Sequence, residues 1–509
     1  MEKIATGISG FDLISEGGLP RGRATLISGT AGSAKTVFAC QFLAEGILRH
    51  QQPGVFITFE ESPHDVRMNM QGFGWEIEAW EQSQQWLFVD ASPAVDDEPI
   101  ESGDYDLGGL LSRIEYAVTR IGAKRVAIDS LSGIFAQFHN PQMIRQALFR
   151  VIHTFKALGV TTVITSERVE ENGSLSRYGI EEFVADNVVL LRNVLEMEKR
   201  RRTIEILKLR GTSHQKGEFP FTITSNNGII VLPLSAMELR QRSSNARLSS
   251  GSPEIDLMCG GGFYRDSIIL VSGPTGTGKT LLTSHFVTGG VEAGDRCLLF
   301  AFEESRDQLF RNAAGWGMDF EAMERRGLLK IICLYPEART LEDHLIELKT
   351  EIERYRPQRV AVDSLTALER VSTSKTFREF VIGVTAFVKQ QEIVGMFTAT
   401  TASLLGGTSV TESHISTITD SIILLRYVEV FGEMRRGLTV LKMRGSMHDK
   451  DIRELTIDHR GMHIGKPFRN VTGILAGTFA HVGPPPEIER IQGMFREDDT
   501  NGPTGTTVG

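Results

Sequence analysis

SIILVSGPTGTGKTLLTSHFV, residues 267–287, reads as an apolar strand, a glycine-rich loop and the opening of a helix. Residues 273–280 match G-x-x-x-x-G-K-[ST], the pattern of a phosphate-binding loop. Each residue type has a reason. Glycines let successive backbone N–H groups curl around phosphate oxygens, the lysine reaches the β and γ oxygens, and the threonine hydroxyl suits Mg²⁺. The helix that starts at the loop adds the positive end of its dipole. Candidate nucleotide ligands are therefore Thr275, Gly276, Thr277, Gly278, Lys279 and Thr280.

The same sentence occurs earlier in the chain. ATLISGTAGSAKTVFACQF, residues 24–42, supplies a second loop with Gly32, Ser33, Ala34, Lys35 and Thr36. Ala34 stands where the later copy has Gly278, and its extra methyl is expected to perturb the loop or its affinity without abolishing nucleotide binding. Phe-Glu-Glu-Ser follows in both halves, at residues 59–62 and 302–305, and a strand ending in Asp-Ser follows again at Asp129 and Asp363. Lys-x-Arg-Gly closes each half at residues 208–211 and 442–445. Lys279 lies 244 residues after Lys35 and Glu303 lies 243 after Glu60; Asp363 and Lys442 each lie 234 after Asp129 and Lys208. One nucleotide-binding domain has been duplicated. Strands alternating with helical patterns imply an α/β fold, two tandem P-loop NTPase domains, each a mostly parallel sheet flanked by helices.

Glu60, Glu61, Glu303 and Glu304 are expected to end strands beside the phosphate-loop strand, where a carboxylate orients or deprotonates the nucleophile attacking a γ-phosphate. The competing reading is that they merely begin the next helix. Ser62-Pro63 and Ser305 with Gln308 have the pattern of helix caps, which use the serines and leave the acids free. Asp129 and Asp363 are the Walker B acids expected to hold the water shell of Mg²⁺. Lys208, Arg210, Lys442 and Arg444 on strand-like runs would be solvated hairpin residues if they occurred once. Their repetition favours cations offered across a subunit boundary to a neighbour's γ-phosphate, which requires a ring.

The halves also differ. With Asp186 aligned to Asp420, Ser416 and Thr417 stand opposite Glu182 and Phe183, two adjacent hydroxyls against an acid and an aromatic. Thr411 and Glu412 lie just before them. Polar residues at a strand start explain this plainly, and phosphoacceptors explain it more sharply.

Composition sets the bounds. The 509 residues, 41% hydrophobic and 23% charged, suit two globular domains. A net charge of −9 argues against a bulk nucleic-acid binder. Four scattered cysteines read as reduced core residues, and no metal site beyond Mg²⁺ with ATP is expected. No apolar run approaches a membrane span and no signal segment opens the chain, so a cytoplasmic protein is expected. The first domain is assigned to residues 1–235, a linker to 236–250 and the second domain to 251–480. The tail, 481–509, is expected to be flexible, with a short amphipathic helix after Pro484-Pro485-Pro486.

Taken together, GFDLISEGGLPRGRATLISGT, FITFEES, RYGIEEFVADNVVLLRNV, LKLRGTSHQKGEFPFTIT, GGGFYRDSIIL, ESHISTITDSIILLRYVE and KMRGSMHDK strongly resemble the KaiC family of double-domain, RecA-like clock ATPases. The likeness covers nearly everything from residue 6 to about 478. It implies a homohexamer of two stacked rings with ATP at subunit interfaces, an ATPase in the first ring, and an autokinase with autophosphatase activity in the second. It also implies acceptors at Ser416 and Thr417, with Thr411 handling that phosphate, and catalytic pairs at Glu60-Glu61 and Glu303-Glu304. Thr36, Thr280 and Glu303 match magnesium-associated positions, and Trp316 a tryptophan near the adenine. Lys208, Leu209, Arg210, Thr212 and His214, with Arg436, Lys442, Met443, Arg444 and Ser446, match contacts from the adjacent subunit. A KaiB-like partner on the first ring is implied, as is a downstream histidine kinase; a KaiA-like partner would have to tolerate the divergent tail. Glu412 replaces a family aspartate. A KaiC-like signalling hub without sustained oscillation and a RecA- or helicase-like DNA motor are the alternative functions. The acidic charge and the Ser416-Thr417 pair speak against the motor.

Overall fold

The computed structural model describes the chain apart from residues 92–106, 131, 134–140, 172, 174, 177–180, 234–242, 402–414, 431, 470, 473, 475–479 and 482–509. Thr411, Glu412 and the expected tail helix lie outside the described residues, as do 236–242 of the expected linker. The chain divides into two compact units, Met1–Glu238 and Leu239–Gly509. Arg247–Leu248, near the end of the expected linker, pairs antiparallel with Phe263–Tyr264. No helix among the described residues is long and apolar enough to cross a membrane.

In the first unit the main-sheet strands are β1 (Ala24–Gly29), β2 (Gly54–Thr58), β3 (Trp86–Asp90), β4 (Arg125–Asp129), β5 (Thr161–Glu167), β6 (Asn187–Glu196), β7 (Lys199–Leu209), β8 (Glu218–Thr224) and β9 (Gly228–Val231). They are ordered β3-β2-β4-β5-β1-β6-β7-β8-β9. The second unit repeats this with β10 (Ile268–Gly273), β11 (Cys297–Ala301), β12 (Leu329–Cys333), β13 (Arg359–Asp363), β14 (Val394–Thr400), β15 (Ser421–Val430), β16 (Glu433–Met443), β17 (Arg453–Asp458) and β18 (Gly461–Pro467). Its order is β12-β11-β13-β14-β10-β15-β16-β17-β18. In each sheet the strands from the far edge through β6 or β15 run parallel, and the last three join antiparallel.

The phosphate-loop strands are buried at every position because helices cover both faces, which is why they read as unbroken apolar runs rather than alternating ones. In the first unit one face packs on the helix Lys35–His50 and the other on the helices Leu107–Ile121 and Pro141–Ala157. One expectation fails here. The strands that end in the paired glutamates, β2 and β11, are not beside the phosphate-loop strands: β4 and β5 intervene in one sheet, β13 and β14 in the other. Crossovers through helices decide neighbours in a parallel sheet, and no local pattern records that choice.

Beneath each phosphate-loop helix lies a buried arginine at the start of the Walker B strand. Arg125, wholly buried, donates from Nη1 to Phe42 O at 2.8 Å, from Nη2 to Ala5 O at 2.7 Å and from Nε to Gln52 Oε1 at 2.9 Å. Arg359 donates from Nη1 to Phe286 O at 3.2 Å and pairs with Asp295 at 2.9 Å. Gly46 and Gly290 make room: a Cβ on either would sit 2.5 Å from the arginine Cδ. Burial pulls the Arg125 pKa down to about 10, so the group stays charged at neutral pH and ties strand, helix and N-terminal segment together. Arg125→Leu should cost about 3 kcal/mol or more, because carbonyls built around a cation lose their donor. Calorimetry should show the first unit melting earlier, and an unchanged melt would contradict this structural role.

Candidate functional site

Both phosphate loops leave the carboxyl end of a central strand and turn directly into a helix. Gly29 and Gly273 cannot carry a side chain: a Cβ would meet Ser33 Oγ at 2.3 Å in one and Leu425 O at 2.4 Å in the other. Lys35 Nζ donates to Thr30 O at 2.9 Å, and Lys279 Nζ to Gly273 O and Pro274 O, both at 2.9 Å. Ser33 and Thr277 close each loop through their hydroxyls, bonding Thr30 O at 2.7 Å and Pro274 O at 2.8 Å. Burial lowers the pKa of both lysines, and nearby acids oppose it. Ala34 takes the left-handed conformation of its counterpart, φ 76° against 106° at Gly278, with its methyl packed on the core. The strain costs about 1–2 kcal/mol, and the loop keeps its shape.

The acids form a repeated constellation. Asp129 accepts a hydrogen bond from Thr165, and Asp363 from Thr398. Glu60 accepts from Ser130 Oγ at 2.7 Å; Glu303 accepts from Ser364 Oγ at 3.0 Å and is ion-paired with Arg370. Glu61 accepts from Asn69 Nδ2 at 3.2 Å, and Glu304 from Asn312 Nδ2 at 3.1 Å. The peptide after each Walker B acid, Asp129-Ser130 and Asp363-Ser364, is cis. The caps hold as expected: Ser62 accepts from Asp65 N, and Ser305 with Gln308 completes a capping box. Ser130, Ser364, Asn69 and Asn312 join the site although none of the sequence motifs assigns them a role. The signal was present, since each asparagine stands eight residues after its glutamate and each serine follows its aspartate.

The profile of the KaiC ATPase family matches residues 4–236 and again 248–468. The circadian clock protein KaiC3 of Synechocystis sp. is 65% identical over 497 residues, 98% of each chain. The circadian clock oscillator proteins KaiC of Thermosynechococcus vestitus and Acaryochloris marina are 57% and 56% identical, covering 94% of this chain and 92% and 91% of theirs. The chain belongs to the KaiC family of ATPases.

Against this KaiC framework the remaining candidates separate into two ends of the sheet. Thr25 pairs with Asn187, and Asn187 with Leu209, so Lys208 and Arg210 sit at the amino end of the phosphate-loop strand, away from their own loop. Ser421 pairs with both Ile269 and Met443, which puts Lys442, Arg444 and Ser446 at the matching end of the second sheet. Four strand residues separate that end from Gly273, roughly 13 Å. Ser416 and Thr417 lie at this same end, on a 3₁₀ turn, Ile415–Thr417, rather than on the strand itself. Arg444 donates to Thr417 O at 2.8 Å and lies 3.6 Å from Asp420; Lys442 donates to Thr419 O, and Lys208 to Ala185 O, both at 2.8 Å. Arg436 does not join this group. It sits at the opposite end, donating to Gly276 O of its own loop at 3.1 Å. Leu209 and Met443 are core residues, Ser446 accepts from Arg247 at 2.6 Å, Thr212 bonds Ser213 O at 3.4 Å and His214 is half-buried. Trp316 caps the helix Arg306–Gly315, half-buried against the second core. The cysteines are free thiols, and no cluster of three His, Cys, Asp or Glu among the described residues could hold a metal.

Burial, reinforced by Asp363, raises the Glu304 carboxyl above its ordinary range, and burial raises Asp363 itself. A carboxyl raised on folding favours the neutral form, so its penalty appears as pH climbs from the ordinary carboxylate range through the raised value and is complete above it. Glu304→Gln should therefore raise the melting temperature of nucleotide-free protein at neutral pH, with the gain shrinking as the pH falls toward the ordinary carboxylate range. Thermal melts across that range check the sign; a destabilised variant at neutral pH would contradict it.

Proposed function

We propose that this chain hydrolyses ATP in both halves and, in its second half, phosphorylates and dephosphorylates itself at Ser416 and Thr417, acting as a timer or oscillator core of the clock type its relatives are named for. The observation that carries the reading is the separation of ends. The turn Ile415–Thr417, with Lys442 and Arg444, sits at the end of the second sheet remote from its own phosphate loop, which supports a use on a neighbour's nucleotide. A closed ring gives every such end a partner, and six chains in two stacked rings is the arrangement the family resemblance implies.

In the second half, the hydroxyl oxygen of Ser416 or Thr417 attacks the γ-phosphorus, the bond to the β-bridging oxygen breaks, and ADP leaves. One carboxylate of the Glu303-Glu304 pair on the nucleotide-bearing chain receives the hydroxyl proton while the pair orients the attacking oxygen. In the first half water takes the acceptor's role and one carboxylate of the Glu60-Glu61 pair the proton, because Glu182 and Phe183 replace the hydroxyls. The donor set around each loop, a threonine hydroxyl and aspartate and glutamate oxygens, suits a hard divalent cation. Thr36, Thr280 and Glu303 would hold Mg²⁺, which supplies charge neutralisation on the phosphates when bound. Lys208 and Arg210, with Lys442 and Arg444, neutralise the neighbour's γ-phosphate, and Trp316 flanks the adenine. Each phosphate added at the Arg444 end brings about −1.5 to −2 charges to a subunit boundary, enough to reorder it. A KaiB-like protein, a histidine kinase and a KaiA-like protein at the divergent tail are the partners to test against that change.

Incubation with Mg-ATP followed by phosphosite mapping over time tests the reading. Phosphate should rise on Ser416 and Thr417, and Glu303→Gln with Glu304→Gln should abolish it while first-half hydrolysis continues. Phosphate confined to residues outside 411–417 would favour the signalling ATPase hub. Light scattering checks the ring: six chains with ATP are expected, and a monomer both with and without ATP contradicts it.

A further inference from the structure

The two phosphate loops have the same backbone and different surroundings. In the first, the Thr30 hydroxyl donates to Glu171 Oε1, which also accepts from Asn193 N at 3.2 Å. The second carboxylate oxygen, Oε2, is buried without a hydrogen-bond partner among the described residues, as is Oδ1 of Asn193, a residue only 5% exposed. Glu167 ends β5 directly beside Gly29. In the second unit the corresponding residues are Pro274, Tyr427 and Thr400. Thr400 pairs with Gly273, and the Tyr427 hydroxyl donates to Thr275 O at 3.3 Å. Among the described residues, one loop is flanked by two carboxylates, the other by a threonine and a phenol. The lysines carry the same contrast: Glu167, Asp129, Glu60 and Glu171 oppose the burial that lowers Lys35, and among the described residues Asp363 and Glu303 do so for Lys279.

We propose that Glu171 and Glu167 are specificity-determining residues that make the first loop select nucleotide by its phosphate charge, disfavouring bare nucleotide and admitting the form neutralised by a divalent cation. This rests on the reading of the first loop as a nucleotide site. A carboxylate held against a phosphate loop repels ATP as the free tetra-anion far more than the same molecule carrying two compensating charges. Because Glu171 is fixed by the Thr30 hydroxyl and the Asn193 amide, it cannot simply swing away. Among the described residues, the second loop has a proline where the first has Thr30 and a threonine where the first has Glu167; the segment that would match Glu171 lies outside the described residues.

The test is titration of the full chain with a fluorescent ATP analogue, with excess Mg²⁺ and with chelator, the first-loop phase being the one that Lys35→Ala removes. Glu171→Gln keeps an oxygen for the Thr30 hydroxyl and loses the charge. It should tighten that phase roughly five- to tenfold in chelator, change it less than about twofold with Mg²⁺, and lose the gain in high salt. Glu167→Thr, the second-unit residue, should act in the same direction, while Thr30→Val, which keeps both charges and loosens one of the two restraints on Glu171, should move the Mg²⁺ ratio in that direction by less than Glu171→Gln does. An unchanged ratio in both acid variants, or an equal change in Thr30→Val, overturns the proposal and leaves the nucleotide site standing. A titration with no phase dependent on Lys35 overturns the nucleotide reading of the first loop and this proposal with it.

Discussion

An ammonium group that must be buried and still find oxygen acceptors dictates the architecture of each half. Lys35 and Lys279 are each 9% exposed and bonded to loop carbonyls that curve back to meet them. That curve needs a bare Gly29 or Gly273 where the strand ends and a left-handed residue just before the lysine. It also needs a helix held rigidly behind it, which Arg125 and Arg359 provide from below by bonding helix carbonyls. Burying a guanidinium for this purpose is expensive, and the repetition of the arrangement, glycine gap included, marks it as part of the frame on which the loop depends.

The direction of the strands turns this frame into a statement about assembly. Parallel strands send every phosphate loop and acid to one end of the sheet. The antiparallel return of β7 and β16 carries Lys208, Lys442 and Arg444 back to the other. Under the proposed function, the cations at that end and the turn Ile415–Thr417 beside them act on a nucleotide held by another copy. Arg436, near the start of β16 and close to its own loop, marks the contrast.

Much of this was legible in the sequence. Loop, helix start and preceding strand are local patterns, and duplication let each half vouch for the other, down to the capping serines 62 and 305. What the sequence does not carry is non-local. The glutamate strands β2 and β11 sit three places from the phosphate-loop strands because helical crossovers set the order. Arg125 and Arg359 look like surface residues in sequence, since nothing local says that five N–H donors will find carbonyls from distant segments. Ser130, Ser364, Asn69 and Asn312 repeat at fixed spacing but have ordinary polar identities, and only the fold shows them bonded to the paired glutamates. Arg436 lies near the start of β16 and Lys442 and Arg444 at its end, a separation that only the strand's extended path reveals.

The central claim, that the second half uses a neighbour's nucleotide, is tested most directly by mixing two chains. One carries Glu303→Gln with Glu304→Gln, and the other Ser416→Ala with Thr417→Ala. Each lacks a different part of the transfer, so neither labels alone, and after co-assembly with γ-labelled ATP the label should appear on Ser416 and Thr417 of the first chain. Co-assembled rings in which that chain stays unlabelled would contradict transfer between subunits.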